Sequence, residues 1–93
     1  MNLHDLLKRR STTILDVRNE SEFRTGNVEG SINIPLIELK NNISELLKKQ
    51  PLVICCESGI RSRLAFDLLK SEGLNEIYDG GGWRLLAIQK MYK

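Results

Sequence analysis

The chain has 93 residues, 41% of them hydrophobic, which is enough for one modest core and too little for two, and predicts a single domain over residues 1–93. Its 14 Lys and Arg against 12 Asp and Glu leave a formal charge of +2, largely interspersed, which excludes the basic field of a dedicated nucleic-acid binder. The opening Met1-Asn2-Leu3-His4-Asp5 lacks the basic-then-apolar plan of a secretion signal, and no apolar run nears the ~20 residues that span a bilayer, so a cytoplasmic protein without a membrane partner is expected.

In chain order, Leu3, Leu6 and Leu7 at helical spacing predict a short first helix, and the β-branched run Thr12 to Val17 predicts a buried strand. Ser21 to Arg24 can form a helical turn that Gly26-Asn27 stops. The alternation of Ser31-Ile32-Asn33-Ile34 reads as a second strand ending at Pro35. Leu36, Leu39, Ile43, Leu46 and Leu47 then fall on one face of a helix with a break at Asn41-Asn42. Leu52 to Cys55 is short, continuous and apolar, as suits a central strand covered on both faces. Arg61 to Glu72 is read as the next helix, stopped by Gly73, followed by a strand at Glu76 to Tyr78 and a last helix from about Trp83. Gly80 to Gly82 are read as a turn. Strands separated by helices imply an α/β fold: a mostly parallel central sheet of four to five strands with helices on both faces, and ligands at the carboxyl ends of the strands.

Cys56 sits at such an end. The residues Cys56-Glu57-Ser58-Gly59-Ile60-Arg61-Ser62 lead from the central strand into the first turn of a helix, where successive backbone N–H groups can converge on the sulfur, with Gly59 permitting an angle that other residues resist. Converging amides, a helix N-terminus and the Arg61 cation favour thiolate over thiol at the lip of the sheet. The outer sulfur of a persulfide is also anionic, so the same cradle can hold it until an acceptor attacks. Cys55 and Cys56 are adjacent and make a poor structural bridge, and no Cys or His spacing suggests zinc, so neither metal nor cofactor is expected.

Four stretches carry a resemblance to the rhodanese-like domain over nearly the whole chain. Ile14-Leu15-Asp16-Val17-Arg18, with Glu22-Phe23 and Gly26 after it, resembles the family's opening, and Gly30-Ser31-Ile32-Asn33-Ile34-Pro35 is similar to its next segment. Cys56 through Ser62 resembles the C-x-x-G-x-R-S active loop, and Gly80-Gly81-Gly82-Trp83 resembles the signature before the final helix. Asn27 stands where many relatives have His.

The resemblance implies a three-layer rhodanese-like fold and a sulfurtransferase with a persulfide-forming Cys56. It further implies a substrate-binding loop from Glu57 to Ser62, with Ser58, Gly59 and Ile60 as cradle positions, an Arg61 that shapes the loop and attracts an anionic donor, and a Ser62 that either binds substrate or only caps the helix start. Its partners would be a small sulfane donor (thiosulfate, polysulfide or persulfide) and a thiol or cyanide acceptor, with a protein donor or acceptor also in view. Two alternatives stand beside it. One is a non-catalytic interaction module presenting Glu57 and Trp83. The other is a phosphatase or arsenate reductase, which the four residues between Cys56 and Arg61 disfavour because the phosphatase relatives have a longer loop. A Glu57 carboxylate beside the sulfur is expected to repel thiosulfate.

Other residues read more simply. Cys55 should face the core, opposite Cys56, because side chains alternate along a strand. Asp16 and Arg18 are expected as a structural ion pair, Trp83 as a core plug and Ser62 as a cap at the helix start. His4 is far from Cys56 in sequence, so activation must come from the loop.

Overall fold

The structure, a computed structural model, describes residues 2–92; Met1 and Lys93, the ends of the domain predicted over 1–93, lie outside the described residues. In chain order the elements are α1 (Leu3–Lys8), β1 (Thr13–Asp16), α2 (Glu20–Thr25), β2 (Ile32–Asn33), a 3₁₀ helix (Leu36–Asn42), α3 (Ile43–Lys48), β3 (Leu52–Cys56), α4 (Ile60–Ser71), β4 (Ile77–Gly82) and α5 (Trp83–Met91). The sheet has four strands in the order β2-β1-β3-β4, and every pairing is parallel.

Alternation along the strands divides the core into two layers. Leu15, Val17, Leu52, Ile54 and Cys56 face one way and pack with Leu39, Leu46, Ala65 and Leu69 from the 3₁₀ helix, α3 and α4. Ile14, Val53 and Cys55 face the other way and pack with Leu6 of α1, Val28 and Leu86 of α5. Each fully buried Leu or Ile contributes roughly 1.5–3 kcal/mol of transfer free energy, and all five residues of β3 are buried, so this strand anchors both layers. Among the described residues no helix is long and apolar enough to cross a membrane.

Two elements depart from the sequence reading. The helix predicted from Leu36 does break near Asn41-Asn42, but its first half is 3₁₀, a distinction that an apolar pattern of threes and fours does not encode. The last strand does not end at Tyr78. It runs on through Gly80 to Gly82, which are therefore strand and bulge rather than a turn. Opposite Ile54 and Cys55 the register jumps from Asp79 to Gly81, leaving Gly80 as the extra residue. A Cβ at Gly80 would lie 2.8 Å from Val53 Cγ1 and 3.0 Å from the Ile54 carbonyl oxygen, so only glycine lets β4 approach this closely.

Candidate functional site

Asp16, Cys56 and Gly82 end β1, β3 and β4 at one edge of the sheet, and that edge is organised by hydrogen bonds reaching across it. Arg18 is 1% exposed and makes a 2.8 Å salt bridge to Asp16, with its Nε also donating to both carboxylate oxygens. Its other amino groups donate to the carbonyls of Glu22 and Gly26, and its guanidinium lies 4.6 Å from the Trp83 ring centroid. Burial works against the Arg18 charge, but the Asp16 hydrogen bonds and charge outweigh it and raise the pKa. Asn33 adds two bonds, to the carbonyls of Asp16 and Arg18, tying the end of β2 to that of β1. Asp16 and Arg18 are thus a structural pair, as their sequence position suggests.

Within this frame the loop after β3 closes on its own sulfur. The Gly59 N–H donates to Cys56 Sγ at 3.0 Å and the Ser62 N–H at 3.2 Å. Gly59 makes the curl possible by adopting φ +103 immediately before α4, a left-handed conformation that costs a side-chain-bearing residue about 1–2 kcal/mol. Among the described residues these two are the backbone donors on the sulfur, so the cradle is narrower than the full run of amides the sequence suggests. Among the described residues the backbone amides of Ser58, Ile60 and Arg61 make no hydrogen bond to the sulfur. The Ser62 hydroxyl lies 3.0 Å from the Gly59 carbonyl and 2.8 Å from Asp79 Oδ1, and the Gly81 N–H donates to that same oxygen at 3.1 Å. The β4 bulge and the cradle therefore share one carboxylate.

Three expectations about charge and access are corrected. The first concerns Arg61, which is not a free cation: it grips Glu22 with two bonds, of 2.6 and 2.9 Å, and the pair is about one-third exposed. The Arg61 hydrogen bond, with a second from the Asn19 amide, holds the Glu22 carboxyl at about 2, while Glu22 raises the Arg61 pKa in return. Sequence cannot pair two residues 39 positions apart, although Glu22 stands within the motif that carries the resemblance.

The second correction concerns Glu57, which does not aim a bare charge at the sulfur. Its carboxylate bonds to Arg84, accepts from Trp83 Nε1 at 3.2 Å and lies 3.5 Å from Arg18 Nη1; the Arg84 and Trp83 hydrogen bonds lower its pKa. The third concerns Cys56, expected at an open lip but 0% exposed, covered by the loop that holds it and by the apolar layer beneath. Trp83 is half-buried between two arginines and packs against the second core layer, with a Cβ at Gly26 reaching to 2.8 Å from its ring, which makes it a plug at the site's edge. No group of three or more His, Cys, Asp or Glu that could hold a metal occurs among the described residues.

Comparison with known proteins gives a consistent picture. The family described as Rhodanese-like domain matches residues 2–85. The chain is 31% identical over 81 residues to the thiosulfate sulfurtransferase GlpE of Shewanella oneidensis, covering 85% of this chain and 80% of that protein. It is 30% identical over 79 residues to the thiosulfate sulfurtransferase PspE of Escherichia coli, covering 83% and 76%. Against two Bacillus subtilis relatives the chain spans less of their length: 60% of the uncharacterized protein YqhL, at 36% identity, and 36% of the putative sulfur carrier protein YrkF, at 34%. Among solved structures, the human single-domain sulfurtransferase TSTD1 superposes with a TM-score of 0.75 at 28% identity, covering 88% of this chain and 86% of that one.

Proposed function

Because this chain belongs to the rhodanese-like domain family, we propose that it is a sulfurtransferase in which Cys56 carries sulfur as a persulfide. The observation that carries the proposal is the pair of amides, from Gly59 and Ser62, aimed at one sulfur at the end of the central strand. The Cys56 thiolate attacks the outer sulfur of a sulfane donor. With thiosulfate, the donor's S–S bond breaks and sulfite leaves with the electron pair. The new Cys56 persulfide bears its negative charge on the outer sulfur, next to dipoles already oriented for an anion. A thiolate or cyanide then attacks that sulfur, the Cys56 S–S bond breaks, and the thiolate returns to the cradle. Sulfur balances across the two steps without cofactor or metal, and a reducing cytoplasm suits a thiol that must stay free between turnovers.

Access follows from the covered sulfur: the loop must move to admit either substrate. Its tethers are side-chain bonds, Arg61 to Glu22 and Glu57 to Arg84 at the surface edge, Trp83 to Glu57, and the buried Ser62 to Asp79, so an opening confined to this loop breaks fewer contacts than unfolding the sheet. The Glu22 partner also leaves Arg61 unavailable to grip a phosphate, which weighs against a phosphatase or arsenate reductase. With Glu57 compensated by Arg84, Trp83 and Arg18, thiosulfate returns as a donor beside polysulfides and persulfides, and a protein carrying a persulfide is a further candidate.

A non-catalytic interaction module draws support from the covered sulfur. Incubation with thiosulfate, polysulfide or glutathione persulfide, followed by intact-mass measurement, separates the two readings. A gain of one sulfur that persists in Cys55→Ser and disappears in Cys56→Ser is the expected result; no gain with any donor leaves the interaction module.

A further inference from the structure

At the amino ends of the strands, remote from Cys56 in the topology, α1, the turn into β1 and the end of α5 enclose a cavity of about 600 Å³. That volume lies within the range of small-molecule sites. Its charge is one-sided. Lys8, Arg9, Arg10 and Lys90 line it, and among the described residues no carboxylate does, in a chain whose formal charge is +2. Lys90 is steered by a 2.5 Å bond to a neutral acceptor, the Glu29 carbonyl, and neither Lys8 nor Arg10 forms an ion pair among the described residues. The cations line a concave wall that also contains apolar groups, Leu7 and the buried Ile14, with the exposed Tyr92 ring at one side.

A second observation points to a ligand. Thr12, also in the lining, has a buried hydroxyl without a hydrogen-bond partner among the described residues. A buried hydroxyl left unsatisfied costs roughly 1–3 kcal/mol, and it can donate to an anionic oxygen. Lone phosphate would use the cations and leave the apolar wall unused, whereas a purely apolar ligand would leave Lys8, Arg10 and Lys90 without an anionic partner among the described residues. We propose that this cavity binds an organic anion, with a phosphate or sulfonate group among Lys8, Arg10, Lys90 and Thr12 and an apolar or aromatic body against Leu7, Ile14 and Tyr92. The site is independent of Cys56 chemistry and stands whether or not the chain transfers sulfur.

The test is an amide NMR titration of the full chain with two probes, ADP and 8-anilinonaphthalene-1-sulfonate, with pyrophosphate and adenosine as the separated halves of the first. For at least one probe, saturable shifts are expected at Thr12, Ile14, Gly30 and Lys90 while Gly59 and Ser62 stay in place. The Lys8→Glu, Arg10→Glu double variant should weaken that binding by on the order of tenfold or more, and Thr12→Val by a few-fold. For ADP, each separated half should bind more weakly than the whole. The proposal is overturned if neither probe gives saturable shifts at millimolar concentration, if the shifts map to the Cys56 loop, or if a dispersed, folded double variant binds as the wild type does.

Discussion

Cys55 and Cys56 are adjacent on one strand and equally covered at 0% exposure, yet they face different surroundings. Cys55 lies among Leu6, Ile14, Val28, Val53 and Leu86, where burial, reinforced by the nearby Asp16 charge, pushes its thiol up to about 12. Cys56, one residue on and so on the other face, meets the Gly59 and Ser62 amides. Exposure does not distinguish these two thiols; directed donors do, together with what must move to uncover each. Releasing Cys56 means shifting one loop, whereas releasing Cys55 means separating α1 and α5 from the sheet.

The largest effect that can break this comparison is the difference in alkylation rate. In native protein treated with iodoacetamide and followed by peptide mass spectrometry, Cys56 should react on the order of 100-fold or more faster than Cys55, because local opening precedes global opening. Equal rates would remove the distinction. Next is Gly59→Ala, which forces a side chain into φ +103. Denaturant unfolding should show a loss of about 1–2 kcal/mol, and steady-state sulfur transfer should fall roughly tenfold as the Gly59 amide leaves the sulfur.

Glu22→Gln sharpens the role of the tether. Glutamine can still accept the Asn19 amide at the start of α2, so the change falls mainly on Arg61. The folded Glu22 carboxyl sits at about 2, below its ordinary 4.5, so its contribution to stability is complete above the ordinary value and is lost as pH falls through about 2. The stability difference between wild type and Glu22→Gln should therefore be flat above pH 4.5 and shrink towards zero near pH 2, as measured by urea unfolding at each pH. A difference independent of pH would assign the effect to something other than the carboxylate. The smallest effect is expected for Glu57→Gln. With its charge already compensated by Arg84, Arg18 and Trp83, the KM for thiosulfate should change by less than about threefold, and a tenfold drop would restore direct repulsion.

Much of the fold was legible because burial leaves a periodic trace. β1 and β3 show as apolar runs, α4 by its inward Ala65, Leu68 and Leu69, although Leu64, expected inward with them, is exposed, and the opposed faces of Cys55 and Cys56 show by simple alternation. Gly80 to Gly82 were misread because glycine carries no strand propensity, and their role comes from a close approach visible only when β3 is in place. At the site, the Cys56 loop was legible from its spacing. The partners of its side chains were not: Arg61 finds Glu22, Ser62 finds Asp79 and Glu57 finds Arg84 across 39, 17 and 27 positions. Charge is local in sequence, but compensation depends on tertiary structure, and for that reason the open cation and bare carboxylate expected at the mouth both proved to be paired.

The unmatched residue in β4 has a consequence for how this chain can change. Because β4 spends one more residue than β3 over the same stretch, losing a single glycine from the run at 80–82 would shift Trp83 and Arg84 by a whole position relative to Glu57. The number of glycines keeps the chain in phase. Descendants of this sequence should vary in what flanks the triplet more freely than in its length.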